Sequence, residues 1–216
     1  MEKWFVASKR ADFNKIGELF HISPVTARLM RNRDLTTVEE MQRYLYGSLS
    51  DLYDPHLLKD ADKGAEIIKE KIEAGKKIRI ISDYDVDGVS SNYILYQGLK
   101  RCGADVDYKI PDRVEDGYGI NEHLIEQAAE DGIDTIITCD NGIAAAAEIQ
   151  MAKEKGMTVI VTDHHEVPYR EEKGERRMVL PPADAILNPK QYDCPYPNKN
   201  LCGAVVAFKY IAALYE

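Results

Sequence analysis

The chain has 216 residues, of which 44% are hydrophobic and 30% charged, a balance that supports a sizeable core and excludes wholesale disorder. Its start, MEKWFVASKRADF, lacks the apolar core of a signal peptide, and no apolar run approaches the roughly 20 residues of a membrane span, so a cytoplasmic protein without a membrane segment is expected. The net charge of −9 argues against a sequence-independent DNA coat, but leaves open a nuclease whose acids gather around metal ions. Cys102, Cys139, Cys194 and Cys202 form no C-x-x-C pair, and read as reduced structural thiols.

The first 60 or so residues read as helical. HISPVTARLMRNR offers Ser23 as N-cap and Pro24 at the first helical position, and TTVEEMQRYL offers Thr36 and Glu39 as a capping box. Pro55 interrupts the pattern within SLSDLYDPHLLKD, and a helix is predicted over 61–74, with Gly75 as its C-cap. From there, short runs rich in Ile and Val alternate with helical stretches. The runs lie at 77–82, 105–111, 134–140, 157–163 and 183–189, the helices at about 88–101, 121–131 and 143–155. Such alternation predicts βαβ units in an α/β fold: a doubly wound, five-stranded or nearly five-stranded parallel sheet with helices on both faces, preceded by a helical extension. PYREEKGERRMVLPP, between the fourth and fifth runs, reads as a charged surface loop, and LCGAVVAFKYIAALYE reads as an apolar helix without a stop signal, as expected of a fragment of a longer protein.

Residues 83–88, DYDVDG, fit the opening of an EF-hand loop in pattern form. That reading fails twice: the twelfth position is Ile94 instead of a bidentate Glu, and the preceding IRIIS is a strand instead of a helix. The aspartates belong instead to the carboxyl end of the first strand, where ligands of open α/β sheets bind. The third run ends in Asp140, and the fourth in Asp163, His164 and His165, so three strand tips deliver five aspartates and two histidines to one edge.

Two carboxylates about 4 Å apart repel by roughly 4 kcal/mol at an effective dielectric near 20, so five in one crevice call for cations. Carboxylates with one or two imidazoles suit Mn²⁺ or Mg²⁺, and two such ions sharing a carboxylate are the usual apparatus for splitting phosphoester bonds. Singly, each acid could be no more than a helix N-cap and the histidine pair no more than solvated surface; all seven being incidental is the poorest account. His21, His56 and His123 stand alone in helical or loop contexts and read as structural or exposed.

SDYDVDGVSS, CDNGI and DHHEVP resemble the first three motifs of the DHH phosphoesterase superfamily. DLYDPHLLKD, IPDRVEDGYGI and NPKQYDCPYPNKNLCGAVVAFK, in this order, resemble its RecJ-type exonucleases, from about residue 20 to the end. The resemblance implies a DHH phosphoesterase domain over 61–216 after a helical extension over 1–60. It implies a single-strand-specific 5′→3′ DNA exonuclease that uses two Mn²⁺ or Mg²⁺ ions to release 5′-mononucleotides in repair and recombination. Single-stranded DNA is the implied substrate, with a single-strand-binding protein and a RecQ-type helicase as partners.

By motif, the resemblance makes Asp85 and Asp87 ligands of separate ions, with Asp83 beside the first. Asp140 resembles the bridging carboxylate and His164 a ligand of the second ion. His165 would contact the scissile phosphate or protonate the leaving group, which makes Asp140, His164 and His165 the catalytic set. Asp163 either ligates a metal or orients a histidine. Arg113 matches a phosphate contact; its bland alternative is a surface ion pair with Glu115 or Asp116. The family's fourth-motif aspartate and its DNA-gripping domains are expected beyond Glu216, so this chain alone is expected to fold, to bind metal weakly and to be nearly inactive. Val205 replaces a glycine in the family's GAGVAF. The alternatives are a DHH phosphodiesterase acting on short oligonucleotides, cyclic dinucleotides or pyrophosphate, and a catalytically silent DHH scaffold that binds single-stranded DNA.

Overall fold

The computed structural model describes residues 3–4, 9–114, 117–172 and 174–216, and the chain divides into two units, Met1–Leu52 and Tyr53–Glu216, a boundary upstream of residue 60. In the first unit, α1 (Phe13–Phe20), α2 (Pro24–Asn32) and α3 (Val38–Tyr46) bury Phe20, Met30 and Met41 against one another. Ser23 caps α2 and Pro24 opens it, as the sequence predicts. The capping box of α3 lies one residue later than expected, on Thr37 and Glu40. In this register the Glu40 carboxylate accepts from the Thr37 N–H at 3.0 Å, and also from the Thr36 N–H and hydroxyl at 2.7 and 3.1 Å. The doublets TT and EE permit both registers, and the one that gives a single carboxylate three donors prevails.

In the second unit a 3-10 turn (Pro55–Leu57) leads into α4 (Ala61–Glu73), with Ala74, not Gly75, as its C-cap. Then follow β1 (Lys77–Ser82), α5 (Val86–Arg101), β2 (Asp105–Lys109), α6 (Glu122–Glu130), β3 (Thr135–Cys139), α7 (Ala146–Glu154) and β4 (Thr158–Thr162). The antiparallel pair β5 (Tyr169–Glu172) and β6 (Glu175–Met178) precedes β7 (Ala185–Leu187) and α8 (Gly203–Tyr215).

The five parallel strands run in the order β2-β1-β3-β4-β7, the doubly wound sheet expected from the alternation. Successive strand residues serve opposite faces. Ile78, Ile80, Ile137, Ile160 and Leu187 pack with side chains of α4, α5 and α8, whereas Ile81, Ile136, Val159, Val161 and Ile186 pack with those of α6 and α7. The first strand matches its run, the other four are shorter than theirs, and Asp140 leaves β3 with a φ of 61°.

The stretch expected to be a charged surface loop is a hairpin at its centre. Glu171 stands opposite Arg176, with 3.5 Å between their charged groups, and the Arg176 guanidinium lies 4.4 Å from the Tyr169 ring centroid, whereas Arg170 stands opposite Arg177, so the hairpin lacks the apolar alternation that marks most strands. All four cysteines are free thiols. Among the described residues no helix is long and apolar enough to cross a membrane.

Candidate metal centre

Chain order reverses between β1 and β3, and a sheet wound this way opens a crevice beyond the strand ends at that switch point. The tip of β1 forms one wall. Asp85 caps α5, its Oδ1 accepting from the Asp87 N–H at 2.8 Å and the Gly88 N–H at 2.9 Å. The motif's glycine has a steric cause: a Cβ on Gly88 would stand 2.4 Å from the Asp83 carbonyl oxygen. Asp83 is 2% exposed, and its Oδ1 has no hydrogen-bond partner. Asp87 reaches across to α8, where its two oxygens accept from the Gly203 N–H at 2.7 Å and the Ala204 N–H at 2.8 Å.

Asp140, at the tip of β3, is 2% exposed. Its Oδ1 has no hydrogen-bond partner although His164 Nε2 lies only 3.0 Å away: the two donor atoms approach without the ring N–H aiming at the oxygen. Burial first, then the charges of Asp87 and Asp85, push the Asp140 carboxyl up to about 7. The neighbouring Asn141 locks the loop, donating to Ile81 O and Cys139 O and accepting from the Ile120 N–H.

From β4, the buried Asp163 accepts from the backbone N–H groups of Ile143, His164 and His165 at 2.9, 2.7 and 3.1 Å. It also holds His165 Nδ1 at 2.7 Å. Burial alone would raise its pKa; the bonds from the His165 ring and the Ile143 backbone outweigh it and hold the carboxyl below the usual range. An ionised carboxylate only accepts, so His165 Nδ1 carries the proton and Nε2 faces the crevice, 3.4 Å from the Tyr118 hydroxyl. Bonding to Asp163 raises the His165 pKa. His164 Nε2 lies 3.4 Å from Asp87 Oδ2 as well as beside Asp140.

The expected residues therefore fall into two donor groups, each with ligand atoms within 4.8 Å of one another: Asp83, Asp85 and Asp140, and Asp140, His164 and His165. Asp140 belongs to both. Asp87 and Asp163 stand outside these groups, engaged with backbone N–H groups instead. Arg113 is exposed, its guanidinium 4.5 Å above the Tyr84 ring, which meets Tyr118 edge-on, as Tyr118 meets His165. Glu115 and Asp116, its alternative partners, lie outside the described residues. The lone His56 and His123 are tied elsewhere, to Asp62 and Glu216, and to Gln127.

A pair of divalent cations fits these residues. Two buried carboxylate oxygens lack partners, one carboxyl is pushed up by burial and by its acidic neighbours, and the donors are oxygens with one or two imidazoles, the set that suits Mn²⁺ or Mg²⁺. Sequence reasoning did not assign Tyr118, Asn141, Gly203 or Ala204. Their signals lay in DGYGI, CDNGI and LCGAVVAFK, but which residue of each touches the site depends on long-range contacts such as that between Asp87 and Gly203.

The model of the DHH family, N-terminal domain, matches residues 77–216. The chain belongs to the DHH family. The single-stranded-DNA-specific exonuclease RecJ of Bacillus subtilis (strain 168) is 42% identical over 209 residues, which are 95% of this chain and 25% of that protein. Among solved structures, exonuclease RecJ bound to manganese superposes with a TM-score of 0.63 at 35% identity, over 73% of this chain and 38% of that one. RecJ of Thermus thermophilus in complex with Mn²⁺ gives 0.67 at 29% identity, over 99% of this chain and 28% of that one. The chain thus spans about a quarter of the B. subtilis relative's length.

Proposed function

We propose that this DHH chain is the metal-binding catalytic part of a single-strand-specific 5′→3′ DNA exonuclease acting in repair and recombination. The observation that carries the reading is Asp140 shared between two converging donor groups at the switch point of the sheet. Its RecJ relatives support the substrate, and the manganese-bound RecJ structures support Mn²⁺, with Mg²⁺ as the similar alternative.

In this reading Asp83, Asp85 and Asp140 hold one ion, and Asp140 and His164 the other, with Asp87 and Asp163 close behind. The ions, when bound, supply Lewis-acid stabilisation of phosphoryl charge and activation of water. His165, oriented by Asp163, presents Nε2 to the scissile phosphate, and its raised pKa suits it to donate a proton to the leaving oxygen. Arg113, stacked on Tyr84, offers its guanidinium to a phosphate. Residues 1–60 serve as an extension to the phosphoesterase domain of 61–216. The cytoplasm is the proposed compartment, and a single-strand-binding protein and a RecQ-type helicase are the proposed partners.

The test is hydrolysis of a 5′-phosphorylated single strand with Mn²⁺ by the protein of the full reading frame that carries this chain, beside Asp140→Ala and beside a dinucleotide substrate. Release of 5′-mononucleotides, faster from the long strand and abolished by the substitution, is expected. Preference for the dinucleotide would shift the substrate to short oligonucleotides, and Mn²⁺ binding unaffected by Asp140→Ala would favour a silent scaffold.

A further inference from the structure

His165 is held from a second direction, by the turn that follows β7. β4 and β7 run in register, Thr162 beside Leu187, and the Asp163 N–H donates to Leu187 O at 3.0 Å, so the two chains leave the sheet side by side. Asn188, Pro189, Lys190 and Gln191 come next on the second chain, and the Gln191 N–H closes their turn on Asn188 O at 3.3 Å. Asn at the first turn position and Pro at the second are the residues such a turn favours. The Asn188 side chain is buried. Its Oδ1 accepts from the Lys190 N–H at 2.8 Å, the local bond that Asn makes two residues ahead. That leaves Nδ2, which donates to His165 O at 3.0 Å. Gln191, also buried, backs the turn by donating from Nε2 to Ile186 O at 2.7 Å, and Lys190 Nζ lies 2.8 Å from Glu166 Oε1. The peptide between His165 and Glu166 is thus tied to β7 at its carbonyl and at the side chain that follows it.

We propose that Asn188 is a positioning residue of the centre, which anchors His165 O and so holds His165 Nε2 in place over the crevice, an inference that rests on the nuclease reading above. Asp163 fixes the His165 ring at Nδ1 and the His165 N–H, but a ring carried on an untied peptide still shifts with that peptide. The Asn188 amide supplies the missing tether, and its own orientation is set by the turn instead of by the site. Loss of this buried donor leaves a carbonyl without its partner, and the cheapest relief is rotation of the peptide that bears His165. Neither of these Asn188 bonds goes to a carboxylate of the centre, so the fault falls on the placement of the imidazole and not on the hold on the ions. A fourth strand tip, beyond the three that deliver acids and histidines, therefore serves the same crevice.

The experiment uses the full-length protein carrying this chain, with Mn²⁺ and a 5′-phosphorylated single strand, in a double-substitution cycle: unsubstituted, Asn188→Ala, His165→Ala and the two together, followed in single turnover. A residue that acts through another loses its effect once that other is gone. Asn188→Ala should therefore lower the rate by up to about 100-fold, the cost of misplacing a reacting group by about 1 Å, and should leave it unchanged where His165 is already Ala. Asn188→Asp, which keeps the shape and the Lys190 bond but has no donor when ionised, should show the same pattern. Titration calorimetry should find the Mn²⁺ affinity of both Asn188 variants within about tenfold of the unsubstituted protein. Equal losses in the two backgrounds, an unchanged rate, loss of Mn²⁺ binding, or failure of both Asn188 variants to fold would make Asn188 a residue of the fold or of the ion site and overturn the proposal, with the nuclease reading intact. Absence of cleavage by the unsubstituted protein overturns both.

Discussion

Gly203 opens α8 directly against Asp140: a Cβ there would stand 2.8 Å from Asp140 Oδ1 and 3.0 Å from the Asp140 Cβ, while the Gly203 N–H bonds Asp87 Oδ2 at 2.7 Å. One residue without a side chain thus lets a helix N-terminus sit between two acids from different strand tips. The partial positive charge of that terminus also favours the carboxylate bound to it. Gly203→Ala should displace the Asp140 carboxylate and weaken Mn²⁺ binding about 10–100-fold, the usual cost of disturbing a group that orients a ligand. Titration calorimetry with Mn²⁺ checks this, and affinity within twofold of the unsubstituted chain would refute it.

Val205, where the resemblance leads one to expect glycine, provides the contrast. It lies in the first turn of α8, partly buried, with its N–H bonded to Cys202 O. The α8 bonds to Asp87 come from Gly203 and Ala204, not from Val205, so Val205→Gly should leave Mn²⁺ affinity unchanged and lower stability by up to about 1 kcal/mol through helix propensity. Parallel calorimetry and thermal melts of the two variants separate a site effect from a helix effect.

The crowding around Asp140 predicts opposite responses to charge removal and metal. Without metal, the fold carries the cost of burying this carboxylate beside Asp87 and Asp85, which pushes the carboxyl up to about 7. Asp140→Asn should therefore melt higher than the unsubstituted chain at pH 8 without metal, by about 2–4 °C, which corresponds to about 1 kcal/mol in a chain of this size. Mn²⁺ at 100 times its Kd should stabilise the unsubstituted chain by about 2.7 kcal/mol, EDTA should reverse the gain, and the variant should show little of it. A variant that melts lower without metal would mean that Asp140 is structurally required as a charge.

Asp163 should separate positioning from ligation. Its carboxylate spans the Ile143, His164 and His165 N–H groups and the His165 ring, and it stands outside both donor groups. Asp163→Asn turns one acceptor into a donor facing those N–H groups. It should destabilise the chain by about 1–3 kcal/mol while leaving Mn²⁺ affinity within about tenfold. A loss of Mn²⁺ binding as complete as that of Asp140→Ala would make Asp163 a ligand.

The sheet was legible because parallel strands buried on both faces must read as short Ile/Val runs, as in KIRIIS, and because their carboxyl ends share one edge. That rule brings Asp83, Asp85, Asp140 and His164 together without any knowledge of side-chain geometry. It does not reveal that Asp87 is bound by amides of α8, since no local pattern connects residues separated by 116 positions. Tyr118 was hidden for a similar reason: its hydroxyl meets Asp140 O through a loop with no periodicity of its own. The hairpin at Tyr169–Met178 was hidden because its strands are runs of charged residues without apolar alternation, and such runs usually mark solvated loops.

His56 sets a pH dependence away from the metal centre. Its Nδ1 is bonded to Asp62 and its Nε2 lies 2.8 Å from Glu216, and these two carboxylates raise its pKa to about 9. In the unfolded chain the imidazole titrates near 6.5. The folded state therefore holds its proton over a window in which the unfolded state has released it. The contribution to stability is fully present below pH 6.5 and is lost as the pH rises through about 9. The ring is partly exposed, so the effect is screened by solvent and should shrink with added salt. Thermal melts in EDTA across pH 6 to 10 should show the midpoint of the unsubstituted chain falling towards that of His56→Ala between pH 6.5 and 9. Parallel curves for the two proteins across that window would show that the triad contributes nothing to the fold.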